Sequence, residues 1–149
     1  KGCKGLVLVG IRTGGDLLAA HIRQGITEIE GDEIPIGAVD ITMYRDDLAA
    51  RGSLPVGKTE IPFALDEKKV VLVDDVLYTG RTIRAAMDAL MDFGRPSSIQ
   101  LSVLVDRGHR ELPIRADYIG RNVPTSANEK VELIFDKQDI PQEVRLIKS

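Results

Sequence analysis

Tryptophan is absent from the chain, cysteine occurs once, histidine twice, and aromatic residues fill only 4% of its 149 positions. The single cysteine, Cys3, rules out an internal disulfide, so a reducing, cytoplasmic setting is expected. Long hydrophobic runs are lacking too. The longest, such as Leu6–Val9 and Val70–Val73, fall far short of the roughly 20 residues that cross a bilayer. No secretory signal is visible, and no membrane partner is expected. Nor is there a bulk excess of positive charge. Lys and Arg number 20 against 23 Asp and Glu, a net charge of −3, so total charge gives no sign of nucleic acid. What remains is a soluble globular composition, 43% hydrophobic and 29% charged, with enough chain to bury an ordinary core as one domain over 1–149.

The chain opens abruptly. Lys1 to Gly5 leads at once into a buried-type strand with no covering element before it, and a missing N-terminal helix is expected. Leu6 to Ile11 is a continuous apolar run ending in Arg-Thr-Gly-Gly, as a central parallel strand entering a turn. A helix follows over Asp16 to Gln24, with Leu17, Leu18, His21 and Ile22 near one face and Gly25 as its stop. His21 there reads as a core or interface residue rather than a catalyst. Ala38 to Tyr44 alternates Val39, Ile41 and Met43 against polar neighbours, which suits a second strand. Asp46 to Pro62, with Gly52, Pro55 and Gly57, reads as a long loop of the lid or disordered kind.

Lys69 to Asp75 is the next buried strand. Arg81 to Phe93 is a helix with Ile83, Ala86, Met87 and Leu90 on one face, closed by Gly94 and Pro96. Ile99 to Val105 is another apolar strand, and past Asp106 only short pieces follow, Asp117 to Gly120 and Val131 to Phe135. Strands alternating with helices predict an α/β fold with a parallel sheet and right-handed crossovers, the C-terminal third forming a cap on it.

The string from Val73 to Thr82 carries chemistry. Ligands of open α/β sheets bind at the carboxyl ends of strands, and the turn Leu77 to Thr82 sits at such an end. Its backbone N–H groups and the Thr79 and Thr82 hydroxyls can surround a phosphate at the start of a helix. Gly80 permits close approach. Asp74 and Asp75, just ahead, can accept hydrogen bonds from two adjacent ribose hydroxyls. A lone Asp-Asp or Thr-Gly is more simply an ordinary capped turn. The whole string, with four apolar residues before it and an amphipathic helix after it, is better explained as a phosphate loop.

Val70 to Thr82 resembles the 5-phosphoribosyl-1-pyrophosphate (PRPP) motif of the type I phosphoribosyltransferases. Tyr44-Arg45-Asp46-Asp47-Leu48, Gly94 to Ser98, Val105 to Tyr118 and Pro124-Thr125-Ser126 resemble the family of bifunctional pyrimidine-operon attenuators that are also uracil phosphoribosyltransferases. The likeness covers nearly the whole chain. It implies the type I fold, a twisted, mainly parallel sheet flanked by helices with a small C-terminal hood. It implies that Asp74 and Asp75 hold the ribose hydroxyls and that Val76, Leu77, Tyr78, Thr79, Gly80, Arg81 and Thr82 form the substrate loop. Arg12, Thr13 and Gly14 would contact pyrophosphate. Arg45 joins Asp74 and Asp75 as a catalytic candidate, with an ordinary surface ion pair as the alternative for Arg45. The lid would span 46–62 and exclude water. Val105, Asp106 and Arg107 would present backbone groups to the uracil edge. Purine-using members place an Asp where this chain has Tyr78, which counts against a purine substrate. Mg²⁺ would arrive on PRPP, with no metal held by the protein directly. Two departures stand out. The family often has Thr-Arg-Gly where this chain has Thr13-Gly14-Gly15, and the lid matches no single pattern.

Arg107, His109, Arg110, Arg115 and Arg121 form a local positive excess. By charge alone this is a solvated face. The resemblance instead assigns His109, Arg110, Arg115 and Arg121 to an RNA-binding surface within a hood and RNA-facing segment, 106–127. Arginine suits single-stranded RNA because its planar fork both donates and stacks. The implied partners are PRPP, uracil, UMP or UTP, the leader mRNA of pyrimidine genes, and a second copy in a homodimer or higher oligomer. Three readings stay open: an attenuator with uracil transferase activity, a uracil salvage enzyme without an RNA role, and a salvage enzyme for another base.

Overall fold

The computed structural model describes residues 3–42 and 59–148. Its first strand, β1 (Leu6–Ile11), is buried along almost its whole length, which accounts for the unbroken apolar run. α1 (Gly15–Glu30) returns the chain to β2 (Ile36–Val39), parallel to β1. β3 (Lys69–Leu77), α2 (Arg81–Met91) and β4 (Ser98–Asp106) form the second such unit, and β5 (Tyr118–Asn122) adds in parallel to β4. The five strands lie in the order β2-β1-β3-β4-β5. β6 (Glu129–Phe135) and β7 (Pro141–Lys148) make a separate antiparallel pair.

This order places the site. The chain winds outward from β1 to β2 on one side and from β3 through β4 to β5 on the other. β1 and β3 are neighbours, so their carboxyl ends flank the point where the winding reverses, and a crevice opens there. Alternation along the strands fills both faces. Val7, Val9, Val70 and Leu72 belong to the larger cluster with Ile83, Ala86 and Leu90 of α2, while Val73 packs with Leu18 and Ala19 of α1.

Several expectations need correction. Gly25 does not stop the first helix. α1 runs to Glu30 and ends at Gly31 (φ 80°), whose N–H bonds the Thr27 carbonyl at 2.9 Å. A mid-helix glycine costs about 1 kcal/mol, and the half-buried Ile22 and Ile26 on either side hold the helix together across it. His21 is exposed, not in the core. β2 starts two residues earlier than the alternation suggested and stops at Val39. There the Asp40 carboxylate accepts the Thr42 N–H and the Asp40 N–H turns to the Thr59 hydroxyl, both at 2.9 Å. The piece after Asp117 is no cap but the fifth strand of the main sheet, and β7 has no counterpart among the expected elements. Tyr44, Arg45 and the lid residues up to 58 lie outside the described residues; Ala38 pairs with Glu60 in an isolated antiparallel bridge.

Leu72 is fully buried in the larger cluster, whereas Ile29 is 83% exposed. Leu72→Ala should therefore cost about 2–5 kcal/mol of stability. Ile29→Ala should stay within roughly 0.5 kcal/mol. Urea unfolding of the two variants checks the contrast.

Candidate active site at the reversal of the sheet

The turn after β1 and the end of β3 meet at this crevice. Gly14 begins α1 with φ 109°, a backbone region that L side chains rarely adopt. A β-carbon there would stand 2.7 Å from Oδ2 of Asp75. A side chain at 14 would thus require the Asp75 carboxylate to shift and the backbone to keep a positive φ. The Arg12–Thr13 peptide just before it is cis.

A polar cavity of about 370 Å³ opens between these segments, bordered by Arg12, Thr13, Asp40, Asp74, Asp75 and Thr82. The structure thereby brings together six groups that lie up to 70 residues apart in the chain. Asp74 is 5% exposed and accepts the Asp75 N–H at 2.8 Å; Asp75 in turn accepts the Val76 N–H at 2.8 Å. Burial pushes the Asp74 carboxyl well above the ordinary aspartate range, and the neighbouring Asp75 charge pushes it the same way. Arg12 is half-buried and pairs with Asp16 at 3.3 Å and Glu60 at 3.5 Å.

Beyond Asp75 the chain turns into α2. Gly80 precedes the helix with φ 98°, and the Arg84 N–H bonds its carbonyl at 3.0 Å. The N-cap residue, Gly80, has no side chain to cap the helix and no acidic residue lies in the first turn, so the positive end of the helix dipole is not offset by a carboxylate there. Thr79 Oγ1 accepts the Arg81 N–H at 3.2 Å. The Thr79 carbonyl accepts N–H groups of Glu111 at 2.9 Å and Leu112 at 3.1 Å, which fastens the turn to the segment after β4.

That segment folds inward more than its charge suggested. Arg107 is only 7% exposed. Its guanidinium lies 4.0 Å over the Tyr78 ring and donates to Thr125 Oγ1 at 3.1 Å and to the carbonyls of Ser126 and Glu129 at 3.2 and 2.5 Å. Its backbone N–H bonds the Leu77 carbonyl, its own carbonyl accepts the Thr125 hydroxyl, and the Asp106 carbonyl accepts the Val123 N–H. Of the backbone groups expected at a uracil edge, the Arg107 N–H is thus engaged within the protein, while the carbonyls of Asp106 and Arg107 each keep a second lone pair. Arg110 is likewise turned inward, onto Asp106, Tyr78 and Ile114. Partial burial works to raise Asp106, but hydrogen bonds from Arg110 and the Gly108 N–H outweigh it and hold the carboxyl below its usual range. His109, at φ 65°, lies edge-on to Tyr78 and reaches the Thr125 carbonyl at 2.5 Å. Arg115 and Arg121 are exposed. A second cavity, about 310 Å³, is lined by Asp106 to Arg110 with Asn122, Pro124 and Thr125. The inward roles of Arg107 and Arg110 were not foreseen. One signal was available: Asp106 and Arg110 stand four apart directly after a buried strand, a spacing at which a carboxylate and a guanidinium can meet.

Residues 2–134 match the family model described as the phosphoribosyl transferase domain, in keeping with this sheet and its crevice. Among solved structures the chain is similar to a hypoxanthine-guanine phosphoribosyltransferase of Bacillus anthracis, with TM-score 0.63 and 21% identity over 80% of this chain and 68% of that one. It is similar also to the hypoxanthine phosphoribosyltransferase of Trypanosoma cruzi, with TM-score 0.65 and 22% identity over 85% and 65%. At such identities the likeness establishes the fold. Much nearer in sequence are proteins named bifunctional protein PyrR. That of Geobacter sp. strain M21 is 68% identical and that of Geobacter sulfurreducens 66%, each over 99% of this chain and 84% of the relative. That of Listeria monocytogenes is 58% identical over 99% and 82%. The chain belongs to the bifunctional PyrR family of phosphoribosyl transferases.

The buried acid has a consequence for stability. Asp74 keeps its proton to higher pH in the folded chain than in the unfolded one, where it titrates near 3.8. Between those two values the folded state binds more protons, so stability falls as pH rises through the window. Above the window the charged form carries the full penalty. Asp74→Asn, which keeps an acceptor for the Asp75 N–H, should melt higher than the natural protein at mildly alkaline pH. Its advantage should narrow as pH falls toward the ordinary aspartate value. Melting curves across pH check this.

Proposed function

We propose that the chain transfers a phosphoribosyl group from PRPP to uracil, giving UMP and pyrophosphate, and that uridine nucleotide in the same site governs its binding to the leader mRNA of pyrimidine genes. The observation that supports this most is the crevice itself: twin carboxylates of Asp74 and Asp75 beside an uncapped helix N-terminus, in a chain up to 68% identical to bifunctional PyrR proteins.

In this reading the amides of Tyr78 to Thr82, with the hydroxyls of Thr79 and Thr82, hold the 5-phosphate. Asp74 and Asp75 accept the ribose hydroxyls. Arg12 and Thr13 meet the pyrophosphate, Arg12 exchanging its pairing with Asp16 and Glu60 for the stronger charge of phosphate. Mg²⁺ would come with PRPP, and the carboxylates of Asp40 and Asp75 on the cavity wall would be the nearest protein oxygens to it. Its chemistry there would be to offset charge on the pyrophosphate. Displacement at the anomeric carbon passes through an oxocarbenium-like state, so the protein acts mainly by positioning the reactants and by electrostatic stabilisation of charge. Arg45 and the lid are part of this proposal as further pyrophosphate contacts and a water barrier. The base lies toward the second cavity, at the end of β4, near Tyr78.

The RNA face is drawn over 106–127. Arg121 on β5 pairs in register with Val105, and Arg115 is exposed just before the strand. A second copy of the chain would enlarge this modest basic surface. Such a protein works in the cytoplasm, and among the described residues no helix is long and apolar enough to cross a membrane.

Titration of a leader stem-loop RNA should show salt-dependent binding that UMP strengthens. Arg121→Glu should weaken RNA binding and leave uracil transfer nearly intact. Equal loss of both would contradict separate surfaces. Turnover of guanine but not uracil would remove the pyrimidine reading.

A further inference from the structure

We propose that Asp16 is a positioning residue of the turn after β1, a built-in counter-charge that holds Arg12 in place and limits how tightly pyrophosphate binds; this rests on the transfer reaction proposed above. Its carboxylate spans the turn. Oδ1 accepts the Gly14 N–H at 3.1 Å, and Oδ2 accepts Arg12 Nη1 at 3.3 Å. Both ends of Arg12-Thr13-Gly14 are thus tied to one group. That group is itself fixed by close packing. A β-carbon on Gly10 would stand 2.4 Å from the Asp16 Cα, and one on Gly15 would stand 2.3 Å from the Val73 carbonyl oxygen. The start of α1 therefore rests directly on β1 and β3. The Asp16 side chain is 19% exposed, against 55% for Glu60, the second acid on Arg12, so Asp16 is the firmer partner.

An acid is an unexpected neighbour for an anion site. Among the described residues Arg12 is the one cation on the wall of the polar cavity, which already carries Asp40, Asp74 and Asp75. Giving that cation a fixed carboxylate reduces its pull on any phosphate. The gain is in turnover. Pyrophosphate occupies the same place as part of PRPP and as product. An interaction that favours it equally before and after transfer deepens binding without lowering the barrier between, and it slows release of the product. Asp16 keeps the guanidinium oriented while holding its net charge down. A carboxylate in the first turn also suits the dipole of α1, and a purely structural role would stop there. The sign of its effect on pyrophosphate separates the two.

The test compares the natural protein with Asp16→Asn, which keeps an acceptor for the Gly14 N–H and removes the charge. Both are first checked for the same fold by circular dichroism and melting. Binding of inorganic pyrophosphate with Mg²⁺ is measured by titration calorimetry. Asp16→Asn should bind it about two- to fivefold more tightly, the worth of a part-exposed ion pair no longer given up. The KM for PRPP should fall by the same factor. Affinity for UMP, which carries no pyrophosphate, should stay natural. Asp16→Glu, which restores the charge, should return pyrophosphate affinity toward the natural value. With Arg12 already changed to Ala, Asp16→Asn should lose most of its effect, as a residue acting through Arg12 must. Glu60→Gln removes the other acid from Arg12 and should act in the same direction, more weakly, which keeps the idea open to test if Asp16→Asn fails to fold.

Three outcomes overturn the inference alone. One is a folded Asp16→Asn that binds pyrophosphate no more tightly than the natural protein, or less tightly, which would leave Asp16 a purely structural residue. Another is a tightening that persists in full with Arg12→Ala. The last is a UMP affinity that rises by the same factor as that for pyrophosphate. Failure of the natural protein to bind pyrophosphate with Mg²⁺ at all would instead overturn the transferase reading, and this inference with it.

Discussion

Two carboxylates stand side by side at the carboxyl end of a buried strand, one of them wholly inside the protein. Asp74 is 5% exposed at the wall of the polar crevice, and Asp75 has its Oδ2 against the turn of Gly14. Like charges this close, one of them desolvated, oppose each other and cost stability. A fold keeps such a pair only where something else benefits. Here the rest of the crevice is arranged around it. Gly14 gives up a side chain to make room, the Asp75 and Val76 amides turn onto the two carboxylates, and the sheet reverses its winding at this point.

The opposite sign of charge is handled in a matching way. Positive groups near the crevice are held by the protein itself: Arg12 by Asp16 and Glu60, Arg107 by carbonyls and a ring, Arg110 by Asp106 and two carbonyls. In the proposed reading a ligand phosphate meets mostly backbone amides at the start of α2, together with those guanidinium groups it can draw from weaker partners. Arg115 and Arg121, by contrast, are exposed to solvent.

What could be read from the sequence follows a physical rule. The strand–turn–helix unit was legible because strand, acidic pair, turn and helix start are contiguous, so one stretch of 13 residues, 70–82, carries the pattern. The buried strands were legible because both their faces are covered. Gly25 misled because propensity is a small term, and the packing of Leu18, Ala19 and Ile22 of the same helix against Val73 overrides it. The membership of β5 in the main sheet depends on pairing with β4, which no local pattern announces. Arg107 and Arg110 looked like surface cations because most of their partners, Tyr78, Thr125, Ser126 and Glu129, lie 18 to 32 residues away. Charge counts along a chain do not distinguish a guanidinium facing water from one bracing a loop.

A crystal structure of the protein with UMP reads the central claim directly. The account places the nucleotide phosphate on the amides of Tyr78 to Thr82 and the two ribose hydroxyls within hydrogen-bond reach of Asp74 and Asp75. A nucleotide bound elsewhere, with these carboxylates and amides left to water, would contradict it.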